Sequence, residues 1–183
     1  MARVNYNLLD RYLFTASIRR DGFSAFGQEN PHAIFPAVAF AWQLSEESFF
    51  NVDQINSLKL RLSWGANGNR DIGRYSAMAQ LSSRHYYDGQ THIGTYANTL
   101  SNPGLRWEKT ESFNVGLDIG LFETRVDLTL DAYDMSTSDL LMRRRLPLLT
   151  GFSSVMTNLG QLDNRGFEAT LRTVNVSTQS VNW

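Results

Sequence analysis

The sequence predicts an all-β protein built mostly as an antiparallel meander, and three observations lead to that class. Residues Leu58 to Gly65 alternate between apolar and polar side chains, which is the period of a strand with one buried or lipid-covered face. Aromatic residues make up 12% of the 183 residues, and they favour strands over helices. Short turns alternate with long loops between the predicted strands, as in a chain of antiparallel neighbours.

The first half of the chain contains four predicted strands, at Val4–Tyr6, Tyr12–Ile18, Ala33–Trp42 and Leu58–Gly65. Pro36 argues against a central position for the third strand in a soluble sheet, because proline cannot donate a ladder hydrogen bond. The segment from Ser45 to Phe50 predicts a short helical turn, since a serine stands at the cap and acidic residues follow it.

The second half contains a predicted hairpin of two long strands, Thr110–Leu121 and Arg125–Leu141. Both exceed the usual length of about 5–6 residues and suit the about 9–11 residues of a tilted membrane strand. A further strand is predicted around Phe167–Leu171. Within the long link from Ala66 to Trp107, Tyr75–Ser83 is expected to belong to a hairpin, because an even number of crossings keeps the alternation of links.

Composition excludes several classes of protein. Hydrophobic residues make up 42% and charged residues 19%, which excludes a disordered chain. The formal net charge of −1 argues against a nucleic-acid partner. The chain has no cysteine, and His32, His85 and His92 lack ligand-type spacing, so we expect no metal site and no cofactor. No apolar run is long enough for a membrane helix.

Each predicted strand has an apolar face and a polar face. The apolar faces carry Leu58, Leu60, Leu62, Val115, Leu117, Val126, Leu128 and Leu130. The polar faces carry Arg61, Asp118, Arg125, Asp127, Asp131, Glu168 and Arg172. In a soluble sandwich, such as a carbohydrate-binding module or a glycosidase, the apolar faces would meet in a core. In a membrane barrel they would face lipid, and the charges would face a wet lumen.

Three features favour the membrane arrangement: the strand lengths, the aromatic residues near predicted strand ends, and the alternation of link lengths. The aromatic residues concerned are Tyr12, Trp42, Trp64, Trp107, Phe122 and Trp183. The short or moderate links are 8–11, 44–56, 120–124 and 175–182, and the long ones are 21–32, 66–107 and 143–164. A self-closed eight-stranded membrane barrel is a third, weaker alternative.

Three segments follow one another in the second half of the chain: NPGLRWE at 102–108, NLG at 158–160 and NRGFE at 164–168. Their order and approximate spacing resemble those of SusC/RagA-type TonB-dependent transporters of the outer membrane of Bacteroidota. The resemblance extends over nearly the whole chain. It implies a barrel of about 22 strands with a plugged lumen, of which residues 1–183 supply about seven or eight strands from the later part.

The resemblance also implies that a signal peptide, a plug domain and closing strands are absent from residues 1–183, and that Trp183 begins another strand. It implies import of a bulky nutrient, an oligosaccharide or a peptide, energised by TonB and assisted by a SusD-like surface lipoprotein. The protein would therefore lie in outer-membrane lipid. It would have no catalytic residues and would not be an enzyme.

Two groups in the predicted loops are candidates for contact with the substrate or the lipoprotein. Tyr86, Tyr87 and Tyr96 could stack on sugar rings or pack against the partner, although ordinary loop packing is the simpler explanation. Arg143, Arg144 and Arg145 could attract an anionic substrate or lipopolysaccharide phosphate, although a solvated strand end is the simpler explanation.

Overall fold

The computed structural model describes residues 1–26, 29–73, 75–123 and 125–175, and the predicted strand at Trp183 and most of the link 175–182 lie outside them. The described residues form twelve strands: β1 Ala2–Leu8, β2 Tyr12–Gly22, β3 His32–Gln43, β4 Ile55–Asn69, β5 Leu81–Tyr87, β6 Thr91–Ala97, β7 Thr99–Leu100, β8 Glu108–Leu121, β9 Val126–Ser138, β10 Leu141–Arg145, β11 Ser154–Asn158 and β12 Gln161–Thr173. In this part of the chain, no helix is long and apolar enough to span a membrane.

The seven long strands form one antiparallel sheet, and the predicted meander is confirmed. Their order is β1-β2-β3-β4-β8-β9-β12, so each long strand pairs with the next long strand along the chain. Residues 9–11, 44–54 and 122–125 link the strands at one end of the sheet, which we call the turn end. Residues 23–31, 70–107 and 139–160 link them at the other end, which we call the loop end.

Smaller elements occupy the loop end. Strands β5 and β6 form a separate two-stranded hairpin, and β7, β10 and β11 form a three-stranded sheet in which β7 is parallel to β11. The hairpin predicted around Tyr75–Ser83 is therefore wrong in position. Tyr75 lies in a turn, and the hairpin begins at Leu81 and pairs with no strand of the long sheet.

Two other predictions need correction. The strand predicted over Arg125–Leu141 ends at Ser138, because Asp139 adopts a left-handed backbone conformation with φ 56°, and β10 then belongs to a different sheet. The helical turn predicted from Ser45 is a single 3-10 turn at Leu44–Glu46, and Ser45 does not cap it. The Ser45 hydroxyl instead accepts a hydrogen bond from Gln43 Nε2 at 2.9 Å.

Strand β3 occupies an interior position in the sheet despite Pro36. Pro36 pairs with Ile18 of β2, but the ladder between β3 and β4 stops at the next residue, where Ala37 pairs with Gly65. Proline is thus accommodated where the ladder between β3 and β4 ends, since no donor to β4 is needed beyond that point.

Candidate functional site

One face of the long sheet is apolar and uncovered. Its central rows contain Leu60 and Leu62 of β4, opposite Leu117 and Val115 of β8, and Leu58 lies opposite Ile119. We call this the leucine face, and its other members include Phe40 and Trp42 on β3, Val126, Leu128 and Leu130 on β9, and Phe167, Ala169 and Leu171 on β12. Phe167 is 68% exposed and Leu171 is 64% exposed.

The exposure of the leucine face bears on the sandwich alternative. In a soluble sandwich a second layer would bury these side chains, but in the described residues none of the leucine-face members named above is buried. Strands β1 and β12 are the two edges of the sheet and do not pair with each other, so the described sheet is not a closed eight-stranded barrel either.

The leucine face is bounded obliquely. Val38, Trp64 and Phe113 lie in one cross-strand row, and this row continues into Asp134 and Arg165 on β9 and β12. The same row is therefore apolar on β3, β4 and β8 and charged on β9 and β12. The apolar stretch is displaced toward the turn end as it crosses from β3 to β12.

The displacement defines the angle between the apolar stretch and the direction that crosses the sheet perpendicular to its strands. The midpoint of the apolar stretch is Val38 on β3, in the row of Trp64, and Ala169 on β12, in the row of Leu60. The stretch thus moves four residues along β4 while crossing four strand spacings. With about 3.3 Å per residue and about 4.8 Å between strands, the angle is about 35°, which matches the about 35–45° tilt of strands in membrane barrels.

The opposite face is charged, and we call it the charged face. Arg61 makes a two-pronged ion pair with Asp118, with Nε–Oδ2 at 2.8 Å and Nη2–Oδ1 at 2.9 Å. Its Nη2 also reaches Asp131 Oδ1 at 3.1 Å across the intervening strand. Gly116 lies between them, and a Cβ there would be 2.5 Å from Asp131 Oδ1. A glycine is required because the arginine and the aspartate meet over its backbone.

The other residues predicted on this face are distributed along the same rows. Glu168 pairs with Asp131, and Arg172 pairs with Asp127, so both acidic and basic groups continue onto β12. Arg125 is an exception, because it lies in the turn before β9 and outside the strand rows. The structure therefore places these side chains on a wall of mixed charge rather than in a compact catalytic cluster. The described residues contain no group of three or more His, Asp or Glu arranged to hold a metal ion.

The buried core lies at the loop end. Phe26, Phe35, Leu105 and Trp107 form its centre, and the ring centroids of Phe26 and Trp107 are 5.1 Å apart. Trp107 is only 6% exposed, so its prediction as a strand-end aromatic at the membrane boundary is wrong. The loops fold over it instead. Its burial ties the start of β8 to the links on both sides.

Asn102 and Asn158, which belong to the sequence segments NPGLRWE and NLG, connect the loops by hydrogen bonds. The Asn158 side chain accepts a hydrogen bond from the Arg106 backbone N–H at 2.9 Å and donates to the carbonyl oxygens of Arg106 and Asp139, both at 2.8 Å. Asn102 Nδ2 donates to the Met156 carbonyl oxygen at 2.9 Å. These bonds join the link 70–107 to the link 139–160, a role that sequence reasoning did not assign.

Glu108 adds a third connection of the same kind. Its Oε1 accepts from Asn69 Nδ2 at 3.1 Å, and its Oε2 accepts from the Leu141 backbone N–H at 3.1 Å. One carboxylate therefore holds the end of β4, the start of β8 and the start of β10. The conspicuous polar residues of these sequence segments hold loop structure in place.

The candidate contact residues lie apart from one another at the loop end. Tyr86 and Tyr96 share one face of the β5–β6 hairpin, where Tyr86 stacks on His92, while Tyr87 lies on the other face and is 77% exposed. Arg143, Arg144 and Arg145 form most of β10. None of these three arginines has an ion-pair partner among the described residues.

At the turn end, Glu47 organises a small polar cluster that the sequence did not reveal. Its carboxylate accepts hydrogen bonds from the Tyr12 hydroxyl and from Trp42 Nε1, and Arg11 Nη1 lies 3.4 Å away. The hydrogen bonds from Tyr12 and then Trp42 lower the pKa of Glu47 below its ordinary value. The Tyr12 and Trp42 rings stack at 6.0 Å.

Comparison with known proteins adds to this geometry. The family model described as TonB dependent receptor-like, beta-barrel, matches residues 1–183. TonB-dependent receptor P3 of Formosa agariphila is 38% identical in an alignment of 183 positions that covers 99% of this chain and 18% of that protein. TonB-dependent receptor SusC of Bacteroides thetaiotaomicron is 37% identical over 188 residues, covering 99% of this chain and 19% of SusC.

Two solved structures have a fold similar to that of this chain. The RagAB peptide transporter superposes with a TM-score of 0.86 at 30% identity, over 97% of this chain and 19% of that chain. The RagAB peptide importer in its open-open state gives the same TM-score over 98% of this chain and 20% of that chain. Residues 1–183 thus span about a fifth of the length of these relatives.

Proposed function

Because the chain belongs to the TonB-dependent receptor β-barrel family, we propose that it forms part of the wall of an importer of bulky nutrients in the bacterial outer membrane. The chain contributes seven strands of a larger barrel, and the rest of the barrel, with its plug, is supplied by sequence outside residues 1–183. Its relatives are transporters, and we assign it no covalent chemistry.

The observation that carries this proposal is the uncovered leucine face with its oblique boundary. An apolar face left exposed on seven long strands would be costly in water, at about 25 cal/mol per Å² of apolar surface. The same face is stable against hydrocarbon, and a strand tilt of about 35° follows from its boundary, as in membrane barrels.

The charged face then lines the lumen. Paired charges such as Arg61 with Asp118 and Asp131 keep this wall hydrophilic without a strong net charge. Such a surface suits a water-filled or plugged interior. The rigid contacts among these strands support a fixed wall, so movement during import is expected in other parts of the protein.

The substrate and the partners follow from the relatives. We propose that the substrate is an oligosaccharide or a peptide, since the named relatives include SusC and a RagAB peptide transporter. A SusD-like lipoprotein would cover the loop end, and TonB would act through the plug. Outer-membrane lipid would contact the leucine face.

A pair of spin labels tests the environment of the two faces. Leu60→Cys and Arg61→Cys are made in the full-length protein, labelled, and measured in lipid vesicles. The label at position 60 should be relaxed by oxygen dissolved in lipid, and the label at position 61 by a water-soluble nickel chelate. Adjacent positions serve as each other's control. Oxygen accessibility at position 60 no greater than that of a buried core residue would reject the proposal.

An uptake measurement tests the activity. Cells that lack the full-length gene should fail to take up a bulky oligosaccharide or peptide that the parent strain imports, and dissipating the proton gradient should have the same effect on the parent. A small nutrient that diffuses through porins is the control. Unchanged uptake of every oligosaccharide and peptide tried would contradict the proposal.

A further inference from the structure

A cleft at the loop end has the size and lining of a ligand site. It lies between the β5–β6 hairpin and the turn 146–153, and its volume is about 400 Å³. Clefts of about 300–1,000 Å³ accommodate small organic ligands. Its lining consists of Arg84, Tyr96, Asn98, Leu148, Gly151, Phe152 and Ser153.

The walls of the cleft are held by hydrogen bonds at its base. The Asn98 carbonyl oxygen accepts from the backbone N–H of Ser153 at 2.9 Å and from the Ser153 hydroxyl at 2.8 Å. Asn98 N–H donates to the Gln80 carbonyl oxygen at 2.8 Å, which closes the hairpin. These hydrogen bonds therefore hold the hairpin and the turn in a fixed position relative to each other.

The lining combines the positive charge of Arg84 with the aromatic rings of Tyr96 and Phe152. Arg84 and Tyr96 share one face of the hairpin, because Arg84 pairs with Gly94 and Tyr96 pairs with Ser82. Phe152 and Leu148, from the turn 146–153, also line the cleft. Arg84 has no carboxylate within ion-pairing distance in the described part of the chain. An arginine left without an acid presents a planar fork that matches a carboxylate.

The net charge of the links around the cleft is positive, like the charge of Arg84. The three links of the loop end contain seven arginines against four aspartate or glutamate residues, although the whole chain has a net charge of −1. The excess positive charge would concentrate anions near the cleft.

We propose that this cleft binds substrates that carry a carboxylate, with Arg84 receiving the carboxylate and Tyr96 and Phe152 contacting the apolar or ring-shaped body of the ligand. This inference rests on the proposed function as an importer and specifies the substrate class. The carboxylate can come from a peptide or from a uronic acid, and the experiment separates these two sources.

Binding is measured by calorimetry on the purified full-length protein. The probes are an octapeptide with glutamate and phenylalanine side chains, the same peptide with glutamine and an amidated C-terminus, an oligogalacturonate, and a neutral glucan of equal length. Arg84→Gln should weaken binding of the acidic peptide or the oligogalacturonate about tenfold, the size expected for one charge-assisted hydrogen bond. Binding of the uncharged probes should not change.

Two further variants make the result specific. Arg84→Lys keeps the charge and should recover part of the lost affinity. Arg106→Gln removes a charge at the same end of the molecule but outside the cleft, and should weaken binding less than about twofold. An effect on the peptide alone identifies a peptide ligand, and an effect on the oligogalacturonate alone identifies a sugar acid.

Equal losses in Arg84→Gln and Arg106→Gln would overturn the proposal, because they would show a general field effect. Equal affinity of the wild-type protein for charged and uncharged probes would also overturn it. If uptake is found without any carboxylate preference, the cleft proposal fails and the importer stands. If carboxylates bind at Arg84 but no substrate is taken up, the importer fails.

Discussion

At the loop end, Phe26, Phe35, Leu105 and Trp107 are packed together in a buried core, whereas the links of the turn end contain no buried side chain among the described residues. The charges differ as well. The turn-end links 9–11, 44–54 and 122–125 hold five acidic and two basic residues, while the loop-end links hold four acidic and seven basic residues. The two ends of one sheet are thus stabilised in different ways.

The difference follows from link length. A short turn needs few tertiary contacts, because the strands it joins already hold its two ends together. Two of the loop-end links, 70–107 and 139–160, are longer than any turn-end link, and they must bury apolar side chains and satisfy their own backbone to become ordered. The loop end therefore behaves as a small folded domain on top of the sheet.

Trp107→Ala should destabilise the loop end by about 3–5 kcal/mol, because it leaves a cavity among packed rings. Hydrogen exchange of residues 75–105 in the full-length protein measures the effect. The control is Phe122→Ala at the turn end, where Phe122 is 57% exposed and a change within about 0.5 kcal/mol is expected. Similar exchange in both variants would show that the two ends are not different.

Leu60→Arg should destabilise the full-length protein in a bilayer by about 2–4 kcal/mol, because position 60 lies near the middle of the leucine face. Urea unfolding in lipid vesicles gives the value. Phe49→Arg is the control, since Phe49 is 68% exposed in a turn-end link and outside the strands. A harmless Leu60→Arg would contradict a lipid-facing position.

Asn158→Ala should loosen the connection between the two long links by about 1–3 kcal/mol, because it leaves backbone groups of Arg106 and Asp139 without partners. Exchange of the amides in 99–107 and 154–158 should accelerate together. Asn56→Ala is the turn-end counterpart, since Asn56 Oδ1 accepts one hydrogen bond from Glu123 N–H, and its effect should stay local. Acceleration in only one of the two links would argue against a shared unit.

Glu47→Gln should produce the smallest effect, and one that depends on pH. The pKa of Glu47 is lowered in the folded protein, so its carboxylate stabilises the fold above the ordinary pKa of about 4.3. That contribution is lost as the pH falls through the lower folded-state pKa. The stability difference between wild type and variant should therefore shrink on acidification.

The exposed neighbour Glu46 supplies the control for that titration. Glu46 has no ion pair in the described residues, and Glu46→Gln should change stability by less than about 0.5 kcal/mol. A Glu47→Gln difference that stays constant on acidification would show that the Glu47 carboxylate does not act through its charge.

The long strands were predictable because side-chain direction in a strand is a local property. Alternation from Leu58 to Gly65 assigns every side chain to one of two faces, and the pairing of Leu60 with Leu117 confirms that these faces match between strands. The sequence alone left two environments open for the leucine face. The structure favours lipid, because the leucine face is uncovered and its boundary is oblique to the strands.

The loop end was not predictable because its contacts join residues far apart in the chain. Asn102 meets Met156, and β7 pairs with β11, across about fifty residues with no repeating pattern. Trp107 was misassigned because an aromatic residue beside a strand end can face lipid or enter a core. Ser45 was misassigned because its hydroxyl bonds to Gln43 rather than to a helix backbone.

Within the described residues, hydrogen bonds hold the β5–β6 hairpin near its base, through Gln80, Asn98 and Ser153. Substitutions along residues 82–96 therefore change neither the assembly of the wall nor the fastening of the long links. We therefore expect the sequence of the hairpin to vary in evolution while the long sheet stays intact, and we expect that one hairpin can be exchanged for another by design.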